Sequence, residues 1–316
     1  MTSASPFHEG EQRIHTRLGI REQIEPWARR VVRSVLPDEH RAFYARLPFL
    51  VLAARDTTGR PWATLLAEAP GFVSSPDPRS LRVAALPPPA DALENALQRG
   101  DDVGLLGIEL HTRRRNRVNG RVVERGAGRF ALDVDQTFGN CPQHITERRW
   151  RRAGATDRAA VATRGSGLSA RQLRLVRHAD TFFIATGFRG DGESPVFGMD
   201  ASHRGGPRGF VQAPSPNELV FPDYAGNDHF NTLGNLLMDP RAGLLFVDFE
   251  CGDLLQLTGR ARIEWDSPEI ERLPGARRLV RFEIEEWVCL EGALPLHWET
   301  PGRSIRELRL VAKRPE

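Results

Sequence analysis

The sequence has a single lysine, Lys313, so nearly every positive charge is a guanidinium. Cysteine is also scarce: Cys141, Cys251 and Cys289 are far apart and odd in number. That spacing argues against a disulfide framework and against zinc or iron–sulfur ligation, leaving reduced thiols as the expectation. No apolar run approaches the roughly 18–20 residues that cross a bilayer. The start, "MTSASPFHEGEQRIHTR", lacks the apolar stretch of a signal peptide, so a cytoplasmic protein with no membrane association is expected. The histidines form no His-x-x-x-His pair, and no metal is expected. A net charge of +3 falls short of the dense basic stripe of nucleic-acid proteins. The one basic run, Arg113-Arg114-Arg115-Asn116-Arg117, has no interleaved aromatics on which bases could stack. Nucleic acid is not the expected partner.

What is present is a repeat. A chain of 316 residues has room for two domains, each with its own core. Residues 48–124 and 181–264 show the same features in the same order: an apolar run, a turn with Asp and Gly, a second run, Gly-Phe-Val, a short strand, a helical patch, and a last strand through Gly-Arg. Gly71-Phe72-Val73 maps to Gly209-Phe210-Val211, and Gly120-Arg121 to Gly259-Arg260, at an offset of about 138. Runs at Phe49–Ala54, Leu81–Leu86, Phe182–Phe188 and Leu244–Phe249 predict short strands. Ala92–Gln98 and His229–Met238 predict short helices. Many strands with few helices predict a mainly β fold, a small antiparallel barrel per repeat, and exclude a doubly wound parallel sheet. Helices are expected at Arg21–Val35 and Asp38–Leu47, with Pro26 and Pro37 near their boundaries. The expected domains are residues 1–147, a partly helical linker at 148–169, and 170–316, with a final strand at Arg278–Cys289 and a plain tail after Pro295.

Three stretches could carry chemistry. "DASHRGGPRGFV", from Asp200 to Val211, offers Ser202, His203 and Arg204 beside paired glycines, the groups that hold a phosphate. Its counterpart in the first repeat, "LLAEAPGFV", has neither Ser nor Arg, so these residues serve something specific to the second repeat. A solvated loop would also account for them. Asn227, Asn231 and Thr232 crowd the start of a short helix, where free N–H groups favour an anion, although helix capping alone explains such residues. Gln256, Thr258 and Arg260 share one strand face, which simple alternation explains equally well.

With these motifs in order, the chain resembles the pyridoxamine 5'-phosphate oxidase-related, FMN-binding split-barrel proteins, in the subgroup with two barrels in tandem. The resemblance runs through "FHEGE", "LPFLVLAARDTTGRPWATLLAEAPGFV", "GLLGIELHTRRRNRVNGRV", "FGNCPQHI", "ADTFFIATGF", "DASHRGGPRGFV" and "HFNTLGNLLMDPRAGLLFVDFECGDLLQLTGRARI". It implies six strands per barrel and FMN held where two barrels pack together, within the chain or in a further homodimer. It also implies a flavin-phosphate loop in the second barrel and a degenerate one in the first. The flavin ligands it implies are Asp200, Ser202, His203, Arg204, Asn227, Asn231 and Thr232, with Gln256 and Thr258 lining the flavin. Arg117 and Asn119 would reach in from the first barrel. The substrate-phosphate residues of the vitamin B6 oxidases have no counterparts here, so that reaction is not expected. The function implied is an FMN-dependent oxidoreductase acting on a small molecule, reduced by NAD(P)H or by a partner protein. A non-catalytic flavin- or haem-binding carrier or sensor is the alternative. No catalytic acid or base can be named from the sequence.

Overall fold

A computed structural model describes residues 5–153 and 161–299. Three helices lead: α1 (Glu9–Arg17), α2 (Arg21–Val31) and α3 (Asp38–Ala45). The first, absent from the sequence expectations, starts on a reciprocal cap. The His8 ring accepts the Gly10 N–H, and the Glu11 carboxylate accepts the His8 N–H. Pro26 lies inside α2 and not at its boundary.

The first sheet contains β1 (Phe49–Arg55), β2 (Pro61–Ala67), β3 (Val73–Ser74), β4 (Ser80–Val83), β5 (Asp102–Glu109), β6 (Arg114–Gly126) and β7 (Arg129–Asn140). Next come β8 (Arg149–Arg152), β9 (Val161–Gly165) and α4 (Ala170–His178). The second sheet contains β10 (Thr181–Phe188), β11 (Gly198–Gly205), β12 (Gln212–Ser215), β13 (Glu218–Tyr224), β14 (Arg241–Val247), β15 (Leu254–Glu264) and β16 (Ala276–Glu291). Helix α5 (Asn231–Met238) precedes β14, and β17 (Leu296–Glu299) follows β16.

The spatial orders are β2-β1-β5-β6-β7-β4-β3 and β11-β10-β14-β15-β16-β13-β12, with β9 added beside β16. Strand for strand the connectivity is the same, and the fold is two split barrels in tandem. The short β3 and β12 raise the implied six strands to seven in each.

Register makes the equivalence residue-specific. Leu52 pairs with Thr64 and Leu105 in the first sheet, as Ile184 pairs with Ser202 and Leu244 in the second. Continuing outward, Arg117 opposite Leu106 corresponds to Gln256 opposite Leu245. The barrels also meet through equivalent elements. A Cβ on Gly104 of β5 would lie 2.5 Å from the Met199 carbonyl of β11, and one on its counterpart Gly243 of β14 would lie 2.6 Å from the Pro61 carbonyl of β2. Only glycine permits either approach, and the two together define a pseudo-twofold relation between the barrels.

This packing explains why β1, β2 and β10 read as continuous apolar runs rather than alternating ones, since both faces are covered. Along β10, Phe182 and Ile184 fill the second barrel, while Phe183 and Ala185 join the cluster that includes the first barrel's core. Met199, Ala201, Leu245 and Val247 join that shared cluster too. The hydrophobic effect therefore holds the halves together through one continuous apolar body.

Four further expectations change. Ala92–Gln98 forms turns, with Ala90 and Leu97 at positive φ, and no helix. The linker contributes strands: β9 pairs with β16, and β8 pairs with β17, which lies in the expected tail. Lys313 lies outside the described residues. The stretch from Asp200 to Gly205 is part of β11 itself, so the expected phosphate loop is a strand edge, and the turn begins only at Gly206.

Candidate functional site

Strand geometry sorts the residues of β11. Asp200, Ser202 and Arg204 alternate onto one face, which meets β6 of the first barrel and the start of α5. Arg117 of β6 crosses the barrel boundary there. Its Nη2 donates to Ser202 Oγ at 2.6 Å and its Nη1 to Asn231 Oδ1 at 2.8 Å. Thr232 Oγ1 donates to the same Ser202 hydroxyl at 3.1 Å.

These side chains line a cavity of about 110 Å³ together with Arg115, Arg204, His203, Asn227 and Phe230. It shares Arg115, Asn140, Gly226, Asn227 and Asp228 with a larger cavity of about 680 Å³, walled by Ile24, Trp27, His40, Asn116 and Cys141. The two form one continuous groove, narrow and polar at one end, wide and partly aromatic at the other.

The narrow end is crowded with positive charge. Arg204 is paired with Asp223 at 2.7 Å, Arg278 lies 3.2 Å from the same carboxylate, and Arg117 lies 3.3 Å from Asp200. Arg115 has no carboxylate partner among the described residues; it donates to the Cys141 carbonyl at 2.9 Å and to His203 Nδ1 at 3.0 Å. Burial, then the neighbouring Arg117 and Arg204, push the Arg115 guanidinium down to about 10. Burial, then Arg115, Arg204 and Arg148, hold the His203 imidazole well below its usual range and so neutral, which lets Nδ1 accept from Arg115.

Several buried donors here have no partner among the described residues: Arg117 Nε, Arg204 Nε, Asn227 Nδ2 and the remaining nitrogen of His203. Helix α5 adds more. Phe230 precedes it at φ 59°, no side chain among the described residues caps it, and Asn231, Thr232 and Leu233 of its first turn line the cavity. Unmet donors, crowded cations and an uncapped helix start all call for an oxygen-rich anion.

The structure thus brings Arg117, Ser202, His203, Arg204, Asn227, Asn231 and Thr232 into one place. Asp200 sits behind them, accepting from Asn119 at 2.7 Å and Asn235 at 2.8 Å, and acts as the counter-ion of Arg117. Gln256 and Thr258 go elsewhere. Through the pseudo-twofold they lie against β2, donating to the Ala63 carbonyl at 3.0 Å and the Pro61 carbonyl at 2.9 Å. Two residues were missed. Arg115 shares the face of Arg117 two positions away, a signal present in the Arg-rich run. Glu11 reaches Asn231 from α1, which no local pattern reveals.

Residues 169–289 match the family model described as pyridoxamine 5'-phosphate oxidase. The second barrel belongs to the pyridoxamine 5'-phosphate oxidase-related family. Solved structures similar to parts of the chain include HupZ from Group A Streptococcus, at 13% identity over 37% of this chain and 90% of that one, TM-score 0.29. Another is the haem-storage protein HutZ from Vibrio cholerae, at 16% identity over 40% and 96%, TM-score 0.28. An FMN-binding protein from Syntrophomonas wolfei is similar at 9% identity over 37% and 84%, TM-score 0.27. No curated protein matches the chain. Among the described residues no helix is long and apolar enough to cross a membrane.

Proposed function

We propose that the chain binds FMN in this groove and serves as an FMN-dependent oxidoreductase. The reading rests on one observation: Arg115, Arg117 and Arg204 converge with the Ser202 and Thr232 hydroxyls on a cavity whose remaining donors have no partner among the described residues. A phosphomonoester dianion suits that set, because guanidinium forks and hydroxyls satisfy its oxygens and its charge relieves the repulsion among the arginines. Asn227 and the first turn of α5 would hold the same phosphate. The wide end, with Trp27, His40 and Asn116, would take the ring system. Bound there, the flavin would supply hydride and electron transfer, while the protein orients it and limits access.

The domain assignment follows from this reading. Residues 1–147 carry a barrel that lends β6, and 170–316 carry the barrel with the phosphate strand. The substrate is a small molecule that enters at the wide end, and NAD(P)H or a separate protein is the reductant. A homodimer of the whole chain is not required, since both sides of the groove come from one chain.

Titrating FMN and riboflavin into the protein, read by flavin fluorescence, tests the binding. FMN should bind well and riboflavin, which lacks the phosphate, much more weakly. Arg117→Ala should remove that preference. Equal affinity for the two flavins in the unaltered protein would sink the reading. Bleaching of the bound flavin by NADH or NADPH without oxygen then identifies the reductant.

A further inference from the structure

The pseudo-twofold generates a second groove, built from β2 and residues 90–93 of the first barrel with β15 of the second. Register assigns each position. Ser202 corresponds to Thr64, Arg204 to Leu66, Arg117 to Gln256 and Arg115 to Leu254. Arg204, Arg117 and Arg115 are therefore each replaced by a neutral residue.

This second groove is not open. The Asp91 carboxylate fills its centre and is 1% exposed. The Thr64 hydroxyl donates to Oδ2 at 2.5 Å, and the Leu93 N–H to Oδ1 at 2.8 Å. Gln256 Nε2 lies 3.2 Å from both oxygens. These are a strand hydroxyl, a backbone N–H and a planar nitrogen donor from the opposite barrel. The open groove presents the same three classes at Ser202, the start of α5 and Arg117. In one groove the donors enclose an anionic side chain of the protein; in the other they face a cavity.

We propose that Asp91 is a built-in substitute for the ligand's phosphate, sealing the first-barrel groove so that the chain holds one FMN and not two. The claim of one FMN rests on the functional reading above; the self-liganded state of the groove does not. A carboxylate is acceptor-only, as a phosphate oxygen is, and satisfies all three donors. It carries a smaller charge than a dianion, which matches the exchange of Arg117 for Gln256. A phosphate entering that groove would meet a buried carboxylate and none of the three guanidiniums, so like-charge repulsion and desolvation exclude it.

Two measurements test this. Equilibrium titration should give one FMN per chain, with affinity reduced roughly 100-fold by Arg117→Ala and unchanged by Gln256→Ala. Two FMN per chain, or a single site lost in Gln256→Ala and kept in Arg117→Ala, would overturn it. The second needs no flavin. Asp91→Ala should unfold at lower denaturant than the unaltered protein and be restored by formate, which can re-enter the vacated carboxylate position. Formate should leave the unaltered protein and an Asp133→Ala control unmoved. If FMN does not bind at all, the functional reading fails, and formate rescue alone decides the fate of Asp91: rescue supports the substitution, and none overturns it.

Discussion

Glu11 and Asn231, 220 residues apart, are joined by a half-buried hydrogen bond in which the Asn231 amide donates to Glu11 Oε1. Glu11 Oε2 already accepts the His8 N–H at 2.8 Å. Asn231 is therefore held with its oxygen toward Arg117. The helix that begins the described chain sets the orientation of a guanidinium in the candidate phosphate site.

The consequence is specific. In Glu11→Gln the amide oxygen keeps the His8 N–H, and its NH₂ faces Asn231. Asn231 then turns over and presents its own NH₂ to Arg117. FMN affinity should fall roughly tenfold, about 1.4 kcal/mol, while the denaturation midpoint changes little because the helix cap survives. Burial, reinforced by Asp200, raises the Glu11 carboxyl well above its usual range. Protonation mimics the glutamine, so FMN affinity of the unaltered protein should decline as pH falls through that raised value. The Glu11→Gln variant should lack this step.

Charge crowding predicts the response to Arg115→Ala. FMN binding should weaken by about 1.5–3 kcal/mol, the range for charge-assisted hydrogen bonds. The variant should also bind with a shallower dependence on salt. An unchanged Kd measured at low and high ionic strength would remove Arg115 from the site.

His229 is buried among Phe7, Trp27 and Phe138, and neither ring nitrogen has a partner among the described residues. Burial pushes its pKa from 6.5 down to about 3. In the unfolded chain it protonates near 6.5, so its contribution is intact above that pH and is lost as pH falls toward 3, by about 1.4 kcal/mol per pH unit. His229→Phe removes this proton uptake. Between pH 6 and about 4, its denaturant midpoint should fall less steeply than that of the unaltered protein.

The close approach at Gly104 and Gly243 should show in stability. Either change to Ala places a methyl group against backbone across the barrel boundary, costing about 1–3 kcal/mol or more by overpacking. Equivalent positions should give similar losses in chemical denaturation. A loss confined to one variant would show that the barrels yield more easily at one contact than at the other.

Much of this was legible in the sequence because strands announce themselves in short apolar runs, and a duplicated order of features is hard to mistake. The spacing between Gly120-Arg121 and Gly259-Arg260 found the equivalence that register later made exact to the residue. The contrast between "DASHRG" and the first repeat located the polar strand, although register aligns it with "WATLLA", where Thr64 keeps a hydroxyl at the Ser202 position and Leu66 replaces Arg204. What pattern could not show is which groove a strand face meets. Gln256 and Thr258 sit on the right kind of strand but serve the opposite groove, because β6 and β15 each cross to the other barrel. Ala92–Gln98 has helical composition, yet Asp91 must fold inward to meet Thr64 and Gln256, and turns achieve this where a helix would not. Glu11 depends on a tertiary contact between distant segments.

Joining both barrels in one chain has a genetic consequence. In a symmetric pair of identical subunits, one codon specifies both copies of every contact, so a substitution that closes one groove closes the other as well. Here Arg117 and Gln256 are separate codons at equivalent positions. Selection can refine one groove while turning its twin into a permanent internal brace, and the two halves can diverge without losing their fit.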